Sequence, residues 1–363
     1  MSASKNLYLN NQEVKDLVIP NTVDSIHAYA FDCGNSITSV ALPNSVVYIG
    51  EGAFYRTYIN EIIIPKSVTS IEERVLSGCN ALTSIIVEEG NPVYDSRDNS
   101  NAIIETNSNT LIAGCATTDI PNTIMHIGPY AFSYLSSLNT IEIPNSVITI
   151  GDHAFYACSS LVSITIPNNV TSIGRWALYA CYSLNSIVVE EGNSVYDSRN
   201  NCNAIIETAT NSLIVACQNT VIPEGVTNIG EDAFFNFDAL INSNALTSIV
   251  LPNTIESIEA FAFRMCSSLD TIYCYAITPP TTNQYAFGNY NATLYVPCAS
   301  IAEYTAHEVW SLFTNIQCIE DVETSIENTH SQSPMTDCQK IIRDGQLFII
   351  HNGKTYNVMG QEL

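Results

Sequence analysis

The sequence predicts a β-rich solenoid made of right-handed coils of parallel strands with short helical turns at their corners. A phrase that contains an Ala-Phe pair, or a close variant of it, recurs with a basic period of 23 residues. Within the phrase, apolar and polar residues alternate before a proline, as in a strand with one buried face. A period of this size is typical of a solenoid, because one coil cannot bury its apolar face alone and must stack on its neighbours.

The Ala-Phe pair marks nine copies of the phrase, and each coil is named by the second residue of its pair. These residues are Phe31, Phe54, Leu76, Phe132, Phe155, Leu178, Phe234, Phe263 and Phe287. Their spacings are 23, 22, 56, 23, 23, 56, 29 and 24 residues. Two units therefore carry an enlargement of 33 residues.

A single unit shows how each coil is expected to fold. Leu161, Ile164 and Ile166 form an L-x-x-I-x-I strand pattern with the apolar residues pointing inward, and Pro167 ends the strand. Gly174 is expected to permit a tight corner. Stacking such coils about 4.8 Å apart would join each strand to its neighbour in a parallel sheet.

The two enlarged units are near copies of each other. Residues 84–121 and 186–223 are identical at 26 of 38 positions. Short apolar runs such as 102–105 are separated by Asn, Asp and Ser, which predicts hairpin-like coils that project from the solenoid. The Asp and Asn clusters near Asp95 and Asp197 could supply oxygen ligands to calcium, but turns that use these side chains explain them equally well.

The last part of the chain predicts a C-terminal cap, a linker and a small tail. Apolar residues that could form one face of a short helix follow Ser300 and Glu303, which fit a capping box: Ile301, Tyr304, Val309, Trp310 and Phe313. They could cover the last coil, or line a ligand site around Trp310. We therefore assign residues 1–319 to the solenoid with its cap, 320–338 to a linker and 339–363 to a small β C-terminal tail.

Composition excludes several classes of function. The chain has 46% hydrophobic and 13% charged residues and a net charge of -24, which would repel nucleic acid and anionic lipid. It has no apolar run long enough to predict a membrane span. Residues 1–11 are polar and carry no leader, so export has to be judged from other features.

The repeat phrase resembles a known family. Residues 143–161, I-P-N-S-V-I-T-I-G-D-H-A-F-Y-A-C-S-S-L, resemble the BspA-like leucine-rich repeats of bacterial surface antigens, and the resemblance covers roughly residues 7–318. It implies a protein that is secreted or displayed on the outer cell surface, in some cases as an adhesin. Residues 345–363 resemble C-terminal tails of secreted Bacteroidetes proteins, which are associated with export or attachment. A simple β-tail is the alternative.

The cysteines predict structure rather than catalysis. Five of them follow the Ala-Phe pair of their coils by two or three residues and are interpreted as a column of buried thiols: Cys33, Cys79, Cys158, Cys181 and Cys266. If a disulfide forms, a pair among Cys298, Cys318 and Cys338 is favoured, because these lie outside the repeat pattern. No C-x-x-C motif is present, which disfavours structural zinc.

We also find no catalytic motif, and therefore predict a non-enzymatic protein without metal or cofactor. The recurring Glu88-Glu89 pair is adjacent on a strand, so its members face opposite ways and cannot work together as a carboxylate pair.

An outward row of side chains is the predicted ligand-binding surface. It takes the residue between the two apolar members of each strand pattern, which points away from the core. The row is Ala41, Ile63, Ile86, Glu142, Thr165, Val188, Val250 and Tyr273. Its apolar content indicates contact with a protein or glycoprotein of host or neighbouring cells, although strand propensity also favours Ile and Val. The alternative is a structural spacer without a tight ligand, and the oligomeric state stays open.

Overall fold

The computed structural model describes residues 8–9, 11–235, 246–319, 338–343, 346–351 and 354–357, with side chains described for 11–235 and 246–319. The chain winds into a β-solenoid of about 13 turns of parallel strands with few helices, which confirms the predicted fold class. The predicted linker, apart from Cys338, lies outside the described residues.

The strands of the first half are short and regularly spaced. They are β1 (Tyr8–Leu9), β2 (Gln12–Glu13), β3 (Asp16–Val18), β4 (Ser25–Ile26), β5 (Ser39–Ala41), β6 (Tyr48–Ile49), β7 (Glu61–Ile64), β8 (Ser70–Ile71), β9 (Ser84–Val87), β10 (Tyr94–Asp95), β11 (Ala102–Glu105), β12 (Thr110–Gly114), β13 (His126–Ile127), β14 (Thr149–Ile150), β15 (Ser163–Ile166) and β16 (Ser172–Ile173).

The second half repeats this order and ends in a separate sheet. Its elements are β17 (Ser186–Val189), β18 (Tyr196–Asp197), β19 (Ala204–Glu207), β20 (Ser212–Ala216), β21 (Asn228–Ile229), β22 (Ser248–Leu251), β23 (Ser257–Ile258), β24 (Thr271–Cys274), β25 (Thr293–Val296), α1 (Ile301–Ala306), β26 (Asn315–Cys318), β27 (Cys338–Arg343), β28 (Gln346–His351) and β29 (Lys354–Asn357). Short 3-10 turns cover Arg97–Asn99, Arg199–Asn201, Cys298–Ser300 and Trp310–Leu312.

An ordinary coil has three sides. The long-strand side carries strands such as β7 and β9, which pair in parallel and alternate exposed and buried residues. The short-strand side carries two-residue strands such as β4, β6 and β8, also parallel. The turn side contains the Ala-Phe pair. Apolar residues from all three sides meet in the core, where Phe54, Phe132 and Phe155 are fully buried.

The turn side is held by an unusual backbone ladder. In the Phe31 coil, the N–H groups of Tyr29 and Phe31 donate to the carbonyls of Glu51 and Ala53 in the next coil, at 2.8 and 2.9 Å. Tyr29 has a left-handed backbone, with φ of 56°, and the equivalent residue is left-handed in the coils that follow through Phe263. Such a conformation costs a non-glycine residue about 1–2 kcal/mol. The inter-coil hydrogen bonds and the buried aromatic column offset this cost.

Gly174 has a different role from the predicted one. Its φ is not in the left-handed region, but a Cβ there would lie 2.4 Å from the backbone nitrogen of Asp152 in the preceding coil. Gly151 meets the same obstacle at Pro129, 2.7 Å away. These glycines therefore allow coils to approach each other, and neither glycine needs a left-handed backbone.

The enlarged units form hairpins, as predicted, but they do not project. β11 pairs with β12 in an antiparallel hairpin, and β12 then joins β13 in the parallel short-strand sheet. Ile103 packs in the core on the N-terminal side, whereas Ile104 packs in the core on the C-terminal side. The hairpin is thus buried on both faces. The prediction of projection rested on the polar turns of the unit. It is wrong because the Ala-Ile-Ile run of β11 is apolar on both faces and is buried between two cores.

The second enlarged unit repeats this arrangement. β19 and β20 form the hairpin, and β20 pairs in parallel with β21. Ile205 packs in the preceding core, and Ile206 in the following one. The two hairpins therefore divide the solenoid interior into three successive apolar cores.

On the turn side, the enlarged units are skipped. The N–H of Gly78 donates to the carbonyl of Ser133 at 3.0 Å, although 55 positions separate them. The Ser133 hydroxyl also bonds the Ser77 hydroxyl at 2.6 Å. The Leu76 coil therefore contacts the Phe132 coil directly on this side, and the extra chain is accommodated only on the strand sides.

The C-terminal end differs in detail from the predicted cap. Tyr304, Trp310 and Phe313 are buried in the last core, with the Trp310 indole N–H donating to the Pro280 carbonyl at 2.8 Å. Ser300 makes no side-chain capping bond to α1, so the capping box is wrong. The helical segment also precedes the last strand, because β26 follows it and pairs with β25.

A disulfide joins Cys298 to Cys318, which is one of the pairs that the sequence left open, and their Cα atoms are 4.7 Å apart. Further on, β27, β28 and β29 form a three-stranded antiparallel sheet in the segment assigned to the small β tail.

Candidate binding surfaces

The outward row lies on the long-strand side, where alternation places it. Ile63, Ile86, Val188 and Val250 have between 42% and 48% of their surface exposed. Ala41, Glu142 and Thr165 are also exposed, and Tyr273 is half-buried. All eight side chains thus point away from the core. Whether the row binds a ligand stays a prediction.

The row is not continuous. Register pairs Ile63 with Ile86 and Thr165 with Val188. Glu142 belongs to no strand, because the preceding enlarged unit turns at residues 115–118 and offers no long strand to pair with it. The expectation that Glu142 continues a strand is therefore wrong. The two enlarged units break the row after Ile86 and after Val188.

Sequence reasoning missed three members of the row. Val18 pairs with Ala41 at its N-terminal end and is 71% exposed. At the other end Tyr273 pairs with Tyr295, and Tyr295 with Gln317. The rings of Tyr273 and Tyr295 stack with centroids 4.9 Å apart. These coils lack the full repeat phrase, but the same alternation in 16–18, 293–296 and 315–318 could have shown them.

A second surface, on the turn side, carries an aromatic column that the repeat analysis did not single out. Tyr134 contacts Tyr55 and Tyr156 edge to face, with centroids 5.5 and 5.2 Å away. Tyr156 stacks on Tyr179 at 5.4 Å, and Tyr179 on Phe235 at 3.5 Å. The column crosses both enlarged units without a gap. Burial, together with the neighbouring Tyr134, raises the pKa of Tyr156 to about 12, so its hydroxyl stays protonated.

Beside it runs a mixed column of polar and aromatic residues. The Arg74 guanidinium lies 3.9 Å from the Tyr130 ring centroid, and Tyr130 stacks on His153 at 4.5 Å. His153 meets Trp176 edge to face at 5.2 Å, and the Trp176 indole donates to Asp232 at 3.0 Å. Burial and the nearby Arg74 lower the pKa of His153, so its ring is neutral at physiological pH.

An open groove, which we call the trough, runs along the edge of the turn side with a volume of about 570 Å³. It is lined by two residues or more from each of six coils: Cys33 and Asn35; Arg56, Thr57 and Tyr58; Gly78 and Asn80; Tyr134 and Ser136; Tyr156, Ala157 and Ser159; Ala180 and Tyr182. Repetition of the coil therefore builds the trough, since each coil contributes the residues two and four positions after its Ala-Phe pair.

Four of the five aligned cysteines form a column of thiol hydrogen bonds. Cys79, Cys158, Cys181 and Cys266 each donate to the carbonyl of the aromatic residue in the coil before, at 3.0–3.5 Å. Burial raises their pKa, that of Cys79 to about 11, so they stay protonated and unreactive. Cys33, one position closer to its Ala-Phe pair, instead lies in the trough lining.

The acidic clusters of the enlarged units bond to arginine. Arg97 donates to both oxygens of Asp95, at 2.8 and 2.6 Å, and Arg199 does the same to Asp197. These carboxylates hold the hairpin turns and are already paired, which removes the strongest ligands from the calcium interpretation. Within residues 11–235 and 246–319, no group of three potential metal ligands is found.

The fold and these surfaces define a repeat solenoid of the kind used for binding. A family model described as the BspA type leucine-rich repeat region matches residues 2–98, 112–236 and 238–338, in six copies. The chain belongs to this family, whose fold is typical of non-catalytic proteins that bind other proteins. Among the described residues, no helix is long and apolar enough to span a membrane.

The chain is similar to solved structures of bacterial leucine-rich repeat proteins. A leucine-rich repeat protein from Eubacterium ventriosum is 20% identical over 94% of this chain and 81% of its own, with a TM-score of 0.52. A leucine-rich cell surface protein from Faecalibacterium prausnitzii is 19% identical over 89% of this chain and 92% of its own, with a TM-score of 0.46. No protein with a curated description matches the sequence.

Proposed function

We propose that the protein is a non-catalytic binding protein of the cell surface or the secreted fraction, an adhesin that presents its repeat surface to macromolecules of host or neighbouring cells. The observation that carries this proposal is the outward row. Ile63 and Ile86 are paired in register, and both keep over two fifths of their surface exposed. Adjacent exposed apolar side chains of this kind are common where proteins bind each other.

Charge supports the same reading. The net charge of -24 opposes self-association through charged surfaces and binding to anionic polymers. Contacts made by an apolar stripe do not depend on this charge. A protein or glycoprotein ligand that contributes apolar or aromatic side chains would gain most from this row. Because several coils each offer one such residue, binding would accumulate from repeated weak contacts.

An oxidising location is supported by the Cys298–Cys318 disulfide. Disulfides persist outside the cytosol and are rare within it. We propose that the solenoid, residues 1–319, is the binding unit, and that the tail, residues 339–363, serves export or attachment through the linker between them.

A structural spacer is the second candidate. The uninterrupted stacking of coils on the turn side favours it, because a stiff array can hold another molecule at a distance without binding a ligand itself. A spacer needs no exposed apolar stripe, so the row discriminates between the two candidates.

The test is capture of extracellular matrix and mucosal proteins by the purified full-length chain and by an Ile63→Asp/Tyr273→Asp double variant. Ile277→Asp is the matched control, because Ile277 is 71% exposed but lies outside the row. We expect the double variant to lose capture at least tenfold and the control to keep it. Circular dichroism would verify that both variants fold. Absence of capture by the wild type would favour the spacer.

A further inference from the structure

The trough has a composition unlike that of the rest of the protein. The chain has 36 acidic against 12 basic side chains, yet none of the residues that line the trough is Asp or Glu. Its lining combines the small residues Gly78, Ala157 and Ala180 with Tyr, Asn and Ser side chains. A site of this composition offers hydroxyl and amide hydrogen bonds and ring surfaces, with no carboxylate to attract a cation.

Arg56 is the one cation of the trough, and its donors are uncommitted. Its guanidinium lies 5.1 Å from the Tyr55 ring centroid and 4.5 Å from that of Tyr134. The Arg56 guanidinium makes no hydrogen bond or ion pair within residues 11–235 and 246–319, whereas Arg74, Arg97, Arg175 and Arg199 each pair with a carboxylate. The two rings therefore fix the Arg56 side chain while its N–H groups stay available to a ligand.

Gly78 makes this placement possible. It has a φ of 75°, and a Cβ there would lie 2.7 Å from the Arg56 Cγ and 3.4 Å from the Tyr134 Cβ. The missing side chain lets Arg56 and Tyr134 approach each other across the boundary at which the first enlarged unit is skipped.

The repeat of the trough indicates what kind of polymer fits. Equivalent groups recur from coil to coil about every 4.8 Å, the spacing of hydrogen-bonded strands. One sugar ring adds a similar length to an extended β-linked glycan. An extended peptide presents side chains on one face only about every 6.6 Å, since alternate residues point the other way. A sugar chain can therefore stay in step with the coils, whereas a peptide cannot.

We propose that the trough binds an extended, uncharged, β-linked oligosaccharide of about one sugar ring per coil, with Tyr58 and Tyr182 as contact residues towards its two ends and Arg56 as a hydrogen-bond donor to sugar oxygens. Charge favours a neutral glycan, because a polyanionic one would be repelled by the net charge of the protein. This site is on the turn side and is independent of the outward row.

The experiment is isothermal titration of the full-length protein with the hexamers of β-1,4-linked glucose, xylose and N-acetylglucosamine. We expect at least one to bind, and its disaccharide to bind at least tenfold more weakly. Tyr58→Ala/Tyr182→Ala should lower the affinity at least tenfold. Tyr285→Ala is the matched control, since Tyr285 is an exposed turn-side tyrosine outside the trough, and it should leave binding unchanged.

A second variant blocks the trough without removing a contact. Ala157→Tyr copies the neighbouring coil, where Tyr134 occupies the same position with nearly the same backbone, φ of 60° against 58°. It is therefore expected to fold and to abolish binding. The proposal is overturned if none of the three hexamers binds, if binding survives both trough variants, or if a hyaluronan octasaccharide or an uncharged decapeptide binds instead. The outward-row double variant should bind the hexamer normally, so this result is separable from protein capture.

Discussion

The aromatic column in the core allows a quantitative test of how the coils depend on one another. Phe155 is fully buried, and its ring stacks on Phe132 with centroids 5.3 Å apart and planes 4° from parallel. Its carbonyl also accepts the thiol hydrogen bond of Cys181. Truncation to alanine therefore removes apolar surface and a ring contact while the backbone ladder is kept.

The magnitude follows from the buried area. A buried phenylalanine takes about 150–250 Å² out of water, and at about 25 cal/mol per Å² this is worth about 4–6 kcal/mol. Measured Phe→Ala costs in cores are about 3–5 kcal/mol, since alanine keeps the Cβ and only the ring atoms leave the core. We expect Phe155→Ala to lie in this range.

Phe155→Leu is the matched control. Leu76 and Leu178 occupy the same position in other coils and are each 2% exposed, so the site accepts leucine. We expect this variant to lose about 1–1.5 kcal/mol. Urea denaturation would give both values, and hydrogen exchange should rise most in the two coils that flank Phe155, because each coil contacts only its neighbours. Equal costs for the two variants, or an alanine cost below about 1.5 kcal/mol, would refute the argument.

Three further outcomes are expected. Burial raises the pKa of Cys79 from 9.0 to about 11, so this thiol should react with an alkylating reagent at pH 8 only after unfolding. The free energy of unfolding should fall as pH rises from about 9 to about 11, because the unfolded chain releases the thiol proton first. Fast labelling of the native protein would contradict this prediction. Cys298→Ser removes a disulfide between residues 20 positions apart and should cost the last coil about 3 kcal/mol of stability. Limited proteolysis should then show new cleavage between β25 and β26, and a reducing agent should produce the same cleavage in the wild type. Asp95→Asn should cost about 1–2 kcal/mol of stability, because burial, which alone would raise the pKa of Asp95, is outweighed by hydrogen bonds from Arg97 that lower it. The stability from this pair is present at neutral pH and is lost as pH falls through the lowered pKa. The control Asp98→Asn, at an exposed residue of the same turn, should change stability little.

The outward row shows what period alone can predict. Alternation within L-x-x-I-x-I is local, since successive residues of a strand point to opposite faces of the sheet. All eight predicted side chains accordingly point outward. The continuity of the row was not predictable in this way, because it depends on which segments of different coils become neighbours. Glu142 fails as a strand residue for that reason.

The hairpins show a similar limit. Their turns and short strands are visible in the sequence, and the structure has them. Their position inside the solenoid depends on burial of both faces. Ile103 packs in one core and Ile104 in the other, and this difference arises only when the coils on both sides of the hairpin are in place. The trough was missed for a related reason: its residues are ordinary turn positions that become a site only when six coils are stacked.

The sequence by itself determined the solenoid, the period of its coils, the inward and outward faces of its strands and the burial of its thiols. These properties follow from periodicity and hydrophobic burial, which act within one repeat or between identical repeats. Tertiary structure alone decided that both hairpins lie between cores, that the turn side skips the enlarged units, and that Arg56 stands between Tyr55 and Tyr134. Each of these contacts joins segments whose separation breaks the 23-residue period, or side chains that meet across a coil boundary. Their physical cause is packing between neighbours that are not equivalent, and the sequence of a single repeat does not encode such packing.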